Sequence, residues 1–365
     1  MKKTLLVVFC LMMVVVFLGC SSSQPSEPSP AESVSADSEV SESPAESQND
    51  SGDEKLLGVF MPSADHGFTA ESIEQAKGAL ELTKQEKEGF DYVLFNTAEA
   101  SEQTNQIATA LEMYDFDAIM LWPIDGAPLL NAAQSIKDAG IPLIVYDRLI
   151  PDFEPTAEMT GDQIAVGTGA ANYMNDFFKD KIDAGETIYV LEFQGDTSQA
   201  AVERTQSFMD TKNAKIEVVQ SFVTNWSRET GYNDMTNWLS NSSKEDIEKV
   251  SAIYTHDDEP LLGILDAITQ YSGPAKPNIK ILVGVGAQKP VLDVMQSTLD
   301  DYGIDIVTNT YAPGMIRQCV DLSTGIIYGS GETGLHLVPV EQISLANADD
   351  YRKSDEYIFR YGEGQ

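Results

Sequence analysis

Two adjacent residues of opposite charge, Asp147 and Arg148, end an apolar run that begins at Gly140. An aspartate accepts hydrogen bonds and an arginine donates them from a planar fork, so the pair can clasp neighbouring hydroxyls of one polar ligand. The other reading is a strand-end salt bridge that only steadies a loop. The run before the pair is short, partly β-branched and opened by Gly140 and Pro142. That pattern predicts a strand buried on both faces of a parallel sheet. In open α/β sheets ligands gather outside the carboxyl ends of the strands, where Asp147 and Arg148 would stand.

The chain has 365 residues and a formal net charge of -35, which argues against nucleic acid as a partner because phosphate binding needs a basic face. Lys2 and Lys3 precede an apolar run from Leu5 to Leu18, then Gly19, Cys20 and Ser21. A charged start, a short apolar stretch and small residues describe an export signal rather than a membrane span. Cys20 after Gly19 resembles the lipobox of bacterial lipoproteins, with Phe17 where that pattern prefers Leu. The resemblance implies that residues 1–20 are a signal segment with lipidated Cys20, and that acyl chains tie the protein to a membrane. Residues 21–54 are rich in Ser, Glu, Pro and Asp and poor in apolar side chains, which predicts a disordered acidic tether. Cys10, Cys20 and Cys319 are the three cysteines. With the signal removed and Cys20 acylated, Cys319 has no partner for an intrachain disulfide and reads as a small core residue on a helix.

The remainder alternates strand and helix. Strands are expected over 56–61, 92–95, 117–122 and 141–146, with helices over 70–85, 102–113 and 129–138 between them. The rhythm restarts with strands over 187–193, 216–219, 252–254, 279–283 and 304–308, and a helix over 314–328. Strands each followed by a helix imply a doubly wound parallel sheet with right-handed crossovers. Two such sheets make an α/β protein of two Rossmann-like lobes, and a cleft between lobes is the default binding site. Three histidines, His66, His256 and His336, share no metal-ligand spacing, so neither a metal nor another cofactor is expected.

The order and spacing of several segments resemble the sugar-binding branch of the bacterial type I periplasmic binding proteins, which includes ribose, galactose, glucose and xylose receptors. The matching segments are residues 58–68, 105–107 with 116–125, 140–148, and 254–259 with Leu262 and Gly263. The resemblance runs from Lys55 to about Ile343. It implies a three-segment hinge, with lobe one made of 55–161 plus about 310–335 and lobe two of 162–309 plus about 336–365. It also places the ligand contacts. Phe68 and Trp226 fall at the positions of stacking aromatics, which suit the C–H faces of sugars. Asp65 and His66 would add polar contacts beside Phe68. Arg204 matches a ligand arginine, Asp257 stands where Asn is usual, and Tyr311 with Asn309 approximates the polar hinge residues. Trp122 and Asp125 admit two readings, lining the cleft or covering the sheet edge.

Where many relatives read Val-Gly-x-Asp-Gly, Gly286 supplies no carboxylate, so the hydroxyls satisfied in the site should differ. No calcium loop is evident over 179–185. The resemblance therefore implies a monomeric, lipid-anchored receptor facing outside the cytoplasm. It would perform no reaction, capturing a monosaccharide by lobe closure and delivering it to an ABC permease. Xylose and glucose or galactose are favoured; a nucleoside or a furanose signal, feeding uptake or chemotaxis, is the alternative. A glycan hydrolase would need a carboxyl free to act as an acid, and Asp147 beside Arg148 is expected to be held ionised. A transcription regulator sharing this core is excluded by the export signal and the lack of an N-terminal helix-turn-helix.

Overall fold

The computed structural model describes residues 54–64 and 67–361. The expected signal segment, the lipidation of Cys20, nearly all of the expected tether, and Asp65 and His66 lie outside the described residues.

One sheet contains β1 (Lys55–Pro62), β2 (Phe90–Thr97), β3 (Ala118–Leu121), β4 (Leu143–Tyr146) and β5 (Ala157–Gly161). The other is built on β6 (Ile188–Gln194), β7 (Ile216–Val223), β8 (Val250–Thr255), β9 (Ile281–Val285) and β10 (Asp305–Asn309). Two late strands, β11 (Gly334–Val338) and β12 (Gln342–Ile343), complete them. The strand orders are β11-β5-β4-β3-β1-β2 and β12-β10-β9-β8-β6-β7. The first sheet is parallel throughout; in the second only β12 runs antiparallel, against β10. Each sheet reverses its winding once, between β1 and β3 and between β6 and β8. A doubly wound sheet opens its ligand crevice at such a point.

All four residues of β4 are buried, Ile144 and Tyr146 against one layer of the core and Leu143 and Val145 against the other. This is the two-faced burial that its apolar run predicts. Cys319 is buried on helix Met315–Ile327, which packs on the first sheet beside Ile316 and Val320.

The chain passes between the sheets three times. Asp162 follows β5, and its carboxylate accepts from the Ala165 N–H at 2.8 Å, capping helix Gln163–Phe177 on the second sheet. After β10 the chain returns to the first sheet, and after β11 it leaves again for β12. The division expected at 335/336 falls inside β11, because that strand pairs with β5 over Gly334–Val338. It is a short edge strand whose Leu335 and Leu337 point into solvent, so the sequence carries no buried pattern there. The strand β5 was also not foreseen. Its residues, Ala157 to Gly161, include Glu158 and Thr160 and lack an apolar run.

Helix Gln163–Phe177 crosses helix Gln199–Thr211 at Gly167, where a Cβ would stand 2.2 Å from both the Arg204 carbonyl oxygen and Ser207 Oγ. Gly78, within helix Gly67–Glu86, has open space in the same direction. Gly167→Ala should destabilise the protein by ~1–3 kcal/mol through overpacking. Gly78→Ala should stabilise it by about 0.5–1 kcal/mol. Thermal melts of the two variants check the opposite signs.

Candidate ligand-binding site

The carboxyl ends of both sheets border one cavity of about 460 Å³, counting the solvent at its mouth. The first lobe contributes Phe68 and Thr69 after β1, Trp122 after β3, and Asp147 and Arg148 after β4. Tyr311 reaches it from the hinge segment after β10. The second lobe contributes Ser198, Ala200, Arg204, Trp226, Asp257 and Val285.

Asp147 turns the chain with φ 64°, a left-handed conformation that aspartate tolerates better than most side chains. Strand β5 holds this turn: Asp147 N donates to the Met159 carbonyl at 2.8 Å, and Thr160 Oγ1 donates to the Asp147 carbonyl at 2.9 Å. Its carboxylate accepts from Tyr311 Oη at 2.6 Å and from Trp122 Nε1 at 3.0 Å. Asp147 therefore orients two aromatic rings as well as facing the cavity. Arg148 does not pair with it. The Arg148 Nη1 donates to the Ile124 carbonyl, and its charge acts on Asp196 across the cleft.

Phe68 lies edge-on to Trp122 with ring centroids 5.9 Å apart, and 5.4 Å from Tyr311. Trp122 is wholly buried yet borders the cavity, whereas Asp125 borders a neighbouring chamber. Trp226 follows Asn225 in two successive left-handed residues, φ 50° and 60°. Its indole lies over Gly195, where a Cβ would come within 2.1 Å of the ring, so glycine is required there.

Arg204 is almost completely buried. Its Nε donates to Gln163 Oε1 at 2.7 Å and its Nη1 to the His256 carbonyl at 2.5 Å. Its guanidinium lies 4.6 Å from the ring centre of Tyr311 and 5.4 Å from that of Trp226, a distance suited to cation–π attraction. Gln163 Nε2 donates to Tyr311 Oη at 2.6 Å, so a continuous chain of bonds runs from Arg204 through Gln163 and Tyr311 to Asp147. Burial, then the charge of Asp147, pushes the Tyr311 hydroxyl far above its ordinary range, so it stays a donor. Gln163 gave no signal in the sequence, because its role appears only when the hinge brings Tyr311 beside it.

Asp257 caps helix Asp258–Gln270 by accepting from the Glu259 N–H at 2.8 Å. Its remaining surface faces the cavity. Burial pushes its carboxyl up to about 8; the Glu259 N–H opposes that rise and the charge of Asp258 assists it. Asp258 accepts from Thr308 Oγ1 and Gln288 N, both at 2.8 Å, and burial places it at about 6. A Cβ at Gly286 would stand 3.2 Å from Asp258 Oδ2, so the Asp258 carboxylate occupies the space beside the position that lacks its own. Asn309 is not brought to the cavity. It ends β10 with its Oδ1 accepting from Gln342 Nε2 at 3.3 Å and facing Gly169.

The lobes are also joined away from the hinge. Arg360, on the helix Asp355–Tyr361 that packs its Tyr357 into the core of the second lobe, makes a bidentate ion pair with Glu71 of helix Gly67–Glu86. The distances are 2.6 and 2.9 Å. The Arg360 Nη1 also donates to the Gly286 carbonyl at 2.9 Å.

Two parallel sheets that close their strand ends over a cavity of aromatic rings, guanidinium groups and carboxyls define a two-lobed ligand-binding protein. The chain belongs to the periplasmic binding protein domain family, whose sequence model matches residues 57–330; this is a family of binding proteins rather than enzymes. It is 28% identical over 170 residues to the ribose import binding protein RbsB of Bacillus subtilis, covering 47% of this chain and 52% of that relative. It is 25% identical over 245 residues to a putative rhizopine-binding protein of Rhizobium meliloti, covering 65% and 74%. The match thus spans about half the length of the first relative. A galactofuranose binding protein of known structure shares the fold with a TM-score of 0.70 at 18% identity, over 84% of this chain and 100% of that one.

Asp257 yields a pH prediction. Its folded value of about 8 lies above its ordinary 3.8, so the folded state holds the proton more tightly, and stability falls as pH rises from about 4 to about 8. Asp257→Asn should melt several degrees higher than the parent at pH 8 and match it near pH 4; a gain equal at both pH values contradicts the assignment. Arg360→Ala should enlarge the radius of gyration of the ligand-free protein in small-angle scattering while helix content by circular dichroism stays constant. An unchanged radius would show that the ion pair does not hold the lobes together.

Proposed function

We propose that the protein is a sugar receptor of an ABC importer. It works outside the cytoplasm, held to a membrane through Cys20, and delivers its ligand to a permease as a monomer. The observation that carries this reading is the cavity itself, in which flat rings of Phe68 and Trp226 meet Asp147, Arg148, Arg204 and Asp257 from both lobes. A sugar ring presents apolar C–H faces and a belt of hydroxyls, and this wall offers a surface for each. Asp65 and His66, next to Phe68 in sequence, are proposed to add polar contacts. Membership of the binding-protein family and likeness to a ribose import binding protein support the transport role. Closure is driven by the ligand's greater affinity for the closed form.

The ring held in this pocket is proposed to be a pentose or hexose, with xylose, glucose and galactose favoured by the residues after β4 and around Trp226. A thermal-shift panel of these sugars, ribose, a furanose and nucleosides tests it. A ligand at one hundred times its Kd should stabilise the native state by about 2.7 kcal/mol and raise Tm by several degrees. Trp226→Ala and Arg148→Ala should each abolish most of that shift. A shift with nucleosides and none with sugars would move the protein to another class of polar ligand and overturn sugar uptake.

A further inference from the structure

We propose that the cleft takes a ligand longer than one ring, its second hydroxylated ring lying in a separate chamber beside the aromatic pocket, so that the preferred ligand is a disaccharide or glycoside. The proposal rests on the sugar-receptor reading and extends it.

The chamber lies between the segments after β3 and β4 in the first lobe and the segment after β6 in the second. It is larger than the aromatic pocket and opens to solvent at its mouth. The two spaces share Asp147, Arg148, Ser198 and Ala200 as walls, so a ligand anchored against Trp226 can continue past Arg148 without leaving the cleft. Tyr311 and Gln163 meet at the hinge at 2.6 Å, and Arg360 and Glu71 join the lobes at 2.6 Å beside β9.

The walls of the chamber have the chemistry of a second ring. Asp125 spends one carboxylate oxygen on the Ala127 N–H, Asp196 one on the Ser198 N–H, and Glu203 one on Gln199 Nε2. Asp125 and Glu203 each keep a second oxygen for a hydroxyl donor. Ser198 balances its burial and Asp196 stays ionised, with Arg148 as the donor opposite. Leu149 and Pro151 supply an apolar patch for C–H groups, and among the described residues no aromatic ring lines this chamber. The second ring is therefore gripped by hydrogen bonds, the first by stacking.

Isothermal titration of the protein with xylose, glucose and galactose, and with xylobiose, cellobiose, maltose and lactose, tests this. At least one disaccharide should bind ten times or more tightly than its own monosaccharide. Glu203→Gln and Asp125→Asn should each weaken that disaccharide threefold or more and leave the monosaccharide unchanged, whereas Trp226→Ala weakens both. If monosaccharides bind as tightly as every disaccharide, or if neither carboxylate variant affects any disaccharide, the second-ring chamber is overturned while the sugar receptor stands. If no sugar of either size binds, the receptor reading fails and the chamber with it.

Discussion

The interaction on which the rest of the site depends is the burial of the Arg204 guanidinium. A charge withdrawn from water is tolerated only when its donors are met, and breaking such an arrangement leaves a large uncompensated cost. Here the partners come from separate stretches of chain: Gln163 just past the first hinge crossing, the His256 carbonyl at the end of β8, and the rings of Tyr311 and Trp226. Meeting them fixes where the hinge sits, because Gln163 bonds Tyr311 and Tyr311 bonds Asp147. The side chains that face the cavity are thus ordered by one buried network before any ligand arrives, which lowers the cost of binding.

The same site concentrates unfavourable backbone. Asp147, Asn225, Trp226 and Ala287 all have positive φ without being glycine. Such conformations persist where the surroundings over-determine them, and they cluster at ligand clamps. Strand β5 supplies the bonds that hold the Asp147 turn, and Gly195 supplies the space that lets the Trp226 indole lie flat. Asp257 adds an electrostatic counterpart, a carboxyl kept protonated by burial at the mouth of a helix. Binding positions made from strained turns and a raised carboxyl are stable only on a rigid frame, and the two parallel sheets provide it.

That frame was legible where burial leaves a pattern. The strands β1, β3, β4, β8 and β9 are apolar runs buried on both faces, and each stands in the sequence within two residues of its place in the fold. The strands β11 and β12 were not legible because they are short edge strands, and β5, which lies inside its sheet, because its Ala-Glu-Met-Thr-Gly composition carries no apolar run. Among site residues, Phe68, Asp147, Arg148, Arg204, Trp226, Asp257 and Tyr311 come together at one cavity, and Trp122 joins them. Asn309 turns instead toward Gln342, because the last residue of a strand can point to either face and only packing against Gly169 decides which.

The sequence by itself determined the alternation of strand and helix, the two lobes, the charge pair at the end of β4 and the family to which the chain belongs. These rest on local pattern, whose information lies in neighbouring residues. The tertiary structure alone decided that Asp147 and Arg148 do not pair, that Gln163 links Arg204 to Tyr311, and that Arg360 reaches Glu71 across 289 positions of chain. It alone placed the Asp258 carboxylate beside Gly286. Each of these is a contact between segments far apart in sequence. Their partners are selected by how the sheets stack and where the hinge closes, and no local pattern encodes that.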